Sequence, residues 1–270
     1  MVIKTFKRYE KKYKLTASQY EQLIPILLRE MEPDLYTKEN QYYSIYNIYF
    51  DTPQYDLIRH SLSKPYYKEK LRIRSYSVPN SPDEPVFIEL KKKIGGIVNK
   101  RRATIPLADA YSFISTRQKP VTESSVDNQV LDEIDFFLKT HHLEPKAFIS
   151  YDRAAYVGKT DPDMRITFDF NLKSRQFDLP LEKGAYGDLL IPESAYLMEV
   201  KIPGTMPIWL AHAFSKLGIF SSSFSKYGTA YKNNRLSLLE KQRAYRPVTA
   251  ITPETSVKNS QLSASNLCVS

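Results

Sequence analysis

Cysteine is nearly missing: the 270-residue chain has one, Cys268. A lone thiol cannot close an intramolecular disulfide, and cysteine zinc sites and cysteine nucleophiles fall away with it. Glycine is scarce too, at 8 residues. Phosphate-cradling loops of the Walker or dinucleotide type need clustered glycines, and the sole adjacent pair is Gly95-Gly96. The histidines are His60, His141, His142 and His212; none has the spacing of a metal-binding helix, and His141-His142 reads as a helix end. No run approaches the ~18 apolar residues of a membrane helix. The N-terminal MVIKTFKRYEKKYKL has no apolar h-region, so no signal peptide is expected. Together these absences set the expectation of a soluble protein in a reducing compartment, the cytoplasm.

Positive charge and tyrosine are what the chain has in plenty. Lys+Arg 39 against Asp+Glu 30 gives +9, which calls for an anionic partner. The 20 tyrosines favour strands with two unlike faces. Hydrophobic periodicity switches between two and 3.6 along the chain. Strands are expected at 4–15, 43–51, 67–76, 85–94, 97–105, 147–157, 164–172 and 195–202. Gly95-Gly96 is the turn of a two-residue hairpin. Helices are expected at 17–31, opened by a Thr16/Gln19 capping box, and at 52–62, 207–217 and 227–243, with helix or loop at 107–118 and 125–141. Trp209 reads as packing or a lid contact. Residues 1–245 form one domain in this reading. Residues 246–270, rich in Ser, Thr, Pro and Asn, form a disordered polar tail.

Residues i and i+2 of a strand share a face. On that rule Arg8, Glu10 and Lys12 lie together, as do Lys70, Arg72 and Arg74. The same holds for Glu89, Lys91 and Lys93, for Lys100 and Arg102, for Arg165, Thr167 and Asp169, and for Glu199 and Lys201. Arg153 shares its face with Ile149 and Tyr151. The opposite faces are apolar. A solvated sheet face would mix Ser, Thr, Gln, Lys and Glu, whereas these faces are rich in arginine. The spacing E-x-K recurs at Glu10/Lys12, Glu89/Lys91 and Glu199/Lys201. The reading is an α+β protein built on an antiparallel eight-stranded β-barrel, with a charged lumen and helices covering an apolar exterior. Uncompensated charge in such a lumen costs several kcal/mol per group, so a polyanion, water and a divalent cation are expected inside. Arg and Lys suit phosphate oxygens, and the carboxylates suit Mg2+ or Mn2+.

The ordered series Arg8-x-Glu10-x-Lys12, Arg72-x-Arg74, Glu89-x-Lys91, Arg153 after Ser150-Tyr151-Asp152, Arg165 and Glu199-Val200-Lys201 resembles the vacuolar transporter chaperone (VTC) domain. That domain belongs to the triphosphate tunnel metalloenzymes, related to the CYTH group. The resemblance implies a polyphosphate polymerase that moves the terminal phosphoryl group of ATP onto a growing inorganic polyphosphate chain, with Mn2+ or Mg2+ in the tunnel. It implies Lys12, Arg72, Arg74, Lys91, Lys100, Arg153 and Arg165 as the catalytic phosphate grip. It further implies Arg8, Lys93, Arg102, Lys201 and Lys226 as substrate-binding residues, with Lys226 at the tunnel mouth, and Glu199 as the main metal ligand, with Glu10 and Glu89. Two positions depart from the pattern: Ser223 stands where the family often has a second lysine, and Arg8 where the wider superfamily often has glutamate. With no SPX domain or transmembrane segment in the sequence, a stand-alone form is expected, with a membrane-protein partner for export or anchoring. Water as acceptor would make the same site a triphosphatase or polyphosphatase, and a non-catalytic polyphosphate-binding module is a third reading. Nucleic acid is disfavoured, because the interleaved carboxylates repel a duplex backbone. The segment after Lys201 contains no recognisable plug, so a tunnel open at both ends is expected, which favours polymerisation.

Overall fold

The computed structural model describes the backbone of residues 9–244 and the side chains of residues 10–240. Arg8 and the tail expected at 246–270 lie outside the described residues. The chain opens with β1 (Tyr9–Thr16), α1 (Ala17–Glu30), β2 (Met31–Pro33), α2 (Leu35–Asn40), β3 (Tyr43–Asp51) and α3 (Asp56–Leu62). Then come β4 (Tyr67–Ser75), β5 (Pro85–Ile94), β6 (Ile97–Pro106), α4 (Leu107–Thr116) and α5 (Ser125–Thr140). It ends with β7 (Glu144–Gly158), β8 (Arg165–Arg175), β9 (Asp188–Leu189), β10 (Ala195–Ile202), α6 (Ile208–Leu217) and α7 (Lys226–Ala244).

Local chemistry sets several of these boundaries. The Thr16 hydroxyl accepts from Gln19 N–H while the Gln19 side chain accepts from Thr16 N–H, the reciprocal box that starts α1. Gly95 and Gly96 sit at φ +53° and +91°, the positive values that a two-residue hairpin turn needs. The short pieces β2, β9 and α2 were not expected. They are too brief to show a period, and α2 is marked only by its Asp34 cap, which accepts from Thr37 N–H.

The eight main strands run antiparallel in the order β1-β10-β8-β7-β3-β4-β5-β6, with β2 on β7 and β9 on β8. This is the expected α+β, eight-stranded antiparallel architecture. The sheet curls toward a barrel, but its end strands β1 and β6 do not pair with each other among the described residues. Its outer face is apolar and helix-covered. Leu71, Ile73, Val86, Ile88 and Phe148 pack with α4 and α5, while Tyr13, Phe168, Met198 and Val200 pack with α1 and α6. Leu23 and Leu27 of α1 and Met31 of β2 are fully buried there. Trp209 of α6 is partly buried against the same layer.

The inner face is the charged one, interrupted by an apolar patch on β3 and β7. Ile45, Tyr49, Ile149 and Tyr151 on β3 and β7 meet Ile58 of α3 and Tyr227 and Ala230 of α7. Tyr49 and Tyr227 stack with centroids 5.0 Å apart, and the Tyr227 hydroxyl donates to buried Asp51 at 2.9 Å. Helices α3 and α7 therefore dock against the concave side. This corrects the expectation of an unobstructed lumen, since a helix whose docking residues are scattered over 180 positions leaves no local signal.

Candidate active site

Strand register assembles the inner face in rows. Arg72, Glu89 and Arg102 are directly opposite one another on β4, β5 and β6. Two residues along the same strands, Lys70, Lys91 and Lys100 form a second row, and Lys68 faces Lys93 beyond it. On the other wall Glu10 pairs with Lys201 and Lys12 with Glu199 across β1 and β10.

Glu89 is the hub of the first row. Its side chain is 1% exposed and accepts from Arg72 Nε at 2.7 Å and Arg102 Nε at 2.7 Å, with Lys100 Nζ at 3.4 Å. Burial alone would raise its carboxyl, but Arg72, Arg74, Lys100 and Arg102 hold it well below the usual carboxylate range. Arg72 also donates to the Tyr49 hydroxyl at 3.0 Å, and Arg74 to Asn47 Oδ1 at 2.9 Å and the Tyr151 hydroxyl at 3.1 Å. The arginines are thus fixed by side chains of three strands, β3, β5 and β7.

The lysine row has no carboxylate of its own, and only Lys100 reaches Glu89. Lys91 is half-buried and makes no hydrogen bond or ion pair among the described residues. Burial, with Lys12 and Arg72 nearby, pulls its ammonium down, against the opposing charges of Glu10 and Glu199. Among the described residues Lys70 donates only to Ser225 Oγ, at 3.0 Å. Burial first, then Lys12, Lys91 and Lys68, bring it down to about 8, although Tyr49 acts the other way. Like charges directly opposite on adjacent strands destabilise a sheet, so this row carries repulsion that the protein itself does not neutralise.

The opposite wall supplies Lys12, Glu10 and Glu199. Lys12 Nζ lies 3.7 Å from Glu10 and 3.8 Å from Glu199, and Lys201 is 2.8 Å from Glu199. Burial works against the Glu199 carboxylate, but Lys201, Lys12 and Arg153 outweigh it and keep it ionised far below the usual range. Directly opposite Glu199, the buried Thr167 Oγ1 has no hydrogen-bond partner among the described residues. Among the described residues no three His, Cys, Asp or Glu converge as a metal cage. Mg2+ commonly takes one or two carboxylates and completes its shell with water and substrate phosphates. Glu10, Glu199 and the orphaned Thr167 hydroxyl fit that pattern; Glu89, saturated by arginines, does not.

Several predicted residues stand elsewhere in the site. Arg153 is held by Asp169 at 2.6 Å and 2.8 Å, and Lys226 bonds the same carboxylate at 2.5 Å. Lys226 is therefore inside, over the Tyr151 ring, rather than at the mouth as expected. Burial disfavours its charge, yet Asp169 raises it. Arg165 sits at the rim, bound to Asp34 at 2.8 Å. Segment 221–225 follows the edge of β1, where Ser222 N–H donates to Lys12 O at 2.7 Å. From there it crosses to the lysine rows, with Lys12 Nζ donating to Phe224 O at 3.3 Å. Lys70 and Asp169 were missing from the expected site. The signal for Lys70 was its i−2 spacing from Arg72; for Asp169 it was the spacing from Thr167.

The VTC domain family model matches residues 7–234. Among solved structures, the chain resembles an adenylate cyclase candidate from Bacillus halodurans at 17% identity, covering 80% of this chain and 92% of that one with a TM-score of 0.49. An adenylyl cyclase candidate from Hippeastrum, described as having a dominant triphosphatase activity, is 17% identical, with 83% and 95% covered and a TM-score of 0.49. The capping enzyme triphosphatase of Mimivirus is 9% identical, with 77% and 88% covered and a TM-score of 0.30. No curated protein matches the chain. With the match spanning most of its length, this chain belongs to the VTC domain family.

Proposed function

We propose that the protein transfers a phosphoryl group from a nucleoside triphosphate to inorganic polyphosphate on this inner face. The observation that carries the reading is the row Lys70-Lys91-Lys100, three ammonium groups set side by side without a carboxylate row of their own. A linear polyanion is the ligand that turns this repulsion into binding. In the reaction the γ-phosphorus of ATP bonds to a terminal oxygen of the chain, its bond to the β,γ-bridging oxygen breaks, and ADP leaves. Such transfer needs positioning and charge neutralisation more than a protein nucleophile. Arg72 and Arg102, held in place by Glu89, would orient phosphate oxygens, and Lys12, Lys91 and Lys100 would neutralise them. Glu10 and Glu199 would hold Mg2+ or Mn2+, which when bound supplies charge stabilisation at the transferred group. Export through a membrane partner belongs to the same proposal; no helix among the described residues is long and apolar enough to cross a membrane.

A second reading, hydrolysis of triphosphates, is favoured by the docking of α3 and α7 on the concave side, which leaves less room for a threaded chain. Incubation with ATP and Mn2+ separates the two. A ladder of long polyphosphate with ADP supports the transferase, and orthophosphate alone supports the hydrolase. No turnover leaves a binding module. Glu199→Gln is expected to lower turnover at least a hundredfold with an unchanged circular dichroism spectrum; full activity in that variant removes the metal role.

A further inference from the structure

One end of the inner face is aromatic. Continuing the parity of Arg72 and Arg74, the next position beyond β4 is Tyr76, whose ring lies near Phe87 of β5, the cross-strand partner of Arg74, and Tyr43 of β3. Tyr76 meets Phe87 with centroids 5.6 Å apart and Tyr43 at 6.1 Å, and Tyr43 meets Tyr36 of α2 at 5.6 Å. Tyr36 is 62% exposed and Tyr76 42%, while Tyr43 is partly buried against the cluster under α3 and α7. The other end differs. There Lys68 donates to Ser61 O of α3, and Lys70 and Lys12 donate to segment 224–225.

Cations join this aromatic end to the phosphate rows without a gap. The Arg102 guanidinium lies 4.3 Å above the Phe87 ring and donates to the Tyr76 hydroxyl at 3.3 Å, while its Nε holds Glu89. The ladder places Arg153 opposite Tyr43, on the rim side that carries Arg165. A planar, electron-poor group attached to a polyphosphate would therefore find ring faces first and arginines next. Inorganic polyphosphate has nothing to place on rings. We propose that Tyr36, Tyr43, Tyr76 and Phe87 form a platform for the base of a nucleoside triphosphate, with its phosphates directed past Arg102 toward the lysine row. Aromatic stacking is tolerant of base identity, since every base has a π face, so the platform selects nucleotides over inorganic anions rather than adenine over guanine.

The inference rests on the phosphate-binding reading above, and the test keeps the two apart. Calorimetry with Mg2+ compares the β,γ-imido analogue of ATP with inorganic imidotriphosphate, on wild type, Tyr36→Ala, Tyr76→Leu and Tyr76→Phe. The expected result is a loss of about tenfold in nucleotide affinity for Tyr36→Ala and Tyr76→Leu. Affinity for imidotriphosphate should stay within twofold, and Tyr76→Phe, which keeps the ring, should retain the preference. Equal losses for both ligands, or unchanged nucleotide affinity in both ring-removing variants, overturn the platform alone. A wild type that binds neither ligand overturns the phosphate-binding reading and the platform with it.

Discussion

Two rows on the same three strands, only two residues apart, are built on opposite principles. In the row Arg72-Glu89-Arg102 a buried carboxylate is surrounded by cations, and every charge has a partner within the protein. In the row Lys70-Lys91-Lys100 three cations face one another. Only Lys100 reaches Glu89, at 3.4 Å. Breaking a buried ion pair is costly because it strands a charge in a poorly hydrated place. Removing one member of a like-charge row has the reverse sign. The first row is architecture that fixes guanidinium groups, and the second, under the proposed function, is the surface whose repulsion a bound polyanion would relieve.

The largest expected effect lies in the first row. Glu89→Gln leaves Arg72 and Arg102 without their common acceptor, and a buried pair broken on one side costs about 3–5 kcal/mol. Urea denaturation should show that loss at neutral pH. A change below about 1 kcal/mol would mean that solvent already screens the hub and that the two rows do not differ in kind.

The difference between the rows was partly legible in the sequence. Period-two alternation puts every charged group named here on one face, and the Gly95-Gly96 turn fixes the β5–β6 register. With Ile94 opposite Ile97, Glu89 must face Arg102 and Lys91 must face Lys100. The β4–β5 register was not legible, because the loop between Ser75 and Pro85 is too long to count across. Glu89 therefore read as a metal ligand when it is the acceptor of an arginine pair. Lys226 read as a mouth residue for the same reason: its partner Asp169 is 57 positions away. Arg175 carried no signal at all. It is 1% exposed, lies 3.5 Å from the Phe148 ring centroid, and donates to the carbonyl oxygens of Asp178, Pro180, Gly184 and Tyr186. Its charge organises a loop, a role that only the folded backbone defines.

A smaller effect of opposite sign is expected in the second row. Lys91→Met removes the central ammonium and keeps most of the aliphatic stem, so the ligand-free fold should gain about 0.5–1 kcal/mol from relieved cross-strand repulsion. The same variant should lose most of the thermal stabilisation that saturating tripolyphosphate gives the wild type, since a ligand stabilises only through its affinity for the native state. Differential scanning fluorimetry with and without tripolyphosphate reads both terms. If Lys91→Met is destabilised without ligand, the row is held together by something other than an anion, and the contrast with Glu89 disappears.

The smallest and most specific effect is a proton. Burial and the neighbouring Lys12, Lys91 and Lys68 bring Lys70 down to about 8 in the ligand-free protein. A bound polyanion favours the charged ammonium and raises that value. Below pH 8 Lys70 is already protonated, so binding takes up no proton there. Between about 8 and the raised value in the complex, binding must protonate Lys70, and affinity falls by up to tenfold per pH unit. The ligand's own last ionisation is common to wild type and variant, so it cancels in the difference between them. Calorimetry of tripolyphosphate binding at pH 9, in two buffers of different ionisation enthalpy, counts the proton directly. Wild type should take up a fraction of one proton more than Lys70→Met, which keeps the stem and has nothing to titrate. Equal proton uptake in the two proteins would show that the anion does not reach Lys70, and would confine the binding surface to Lys91 and Lys100.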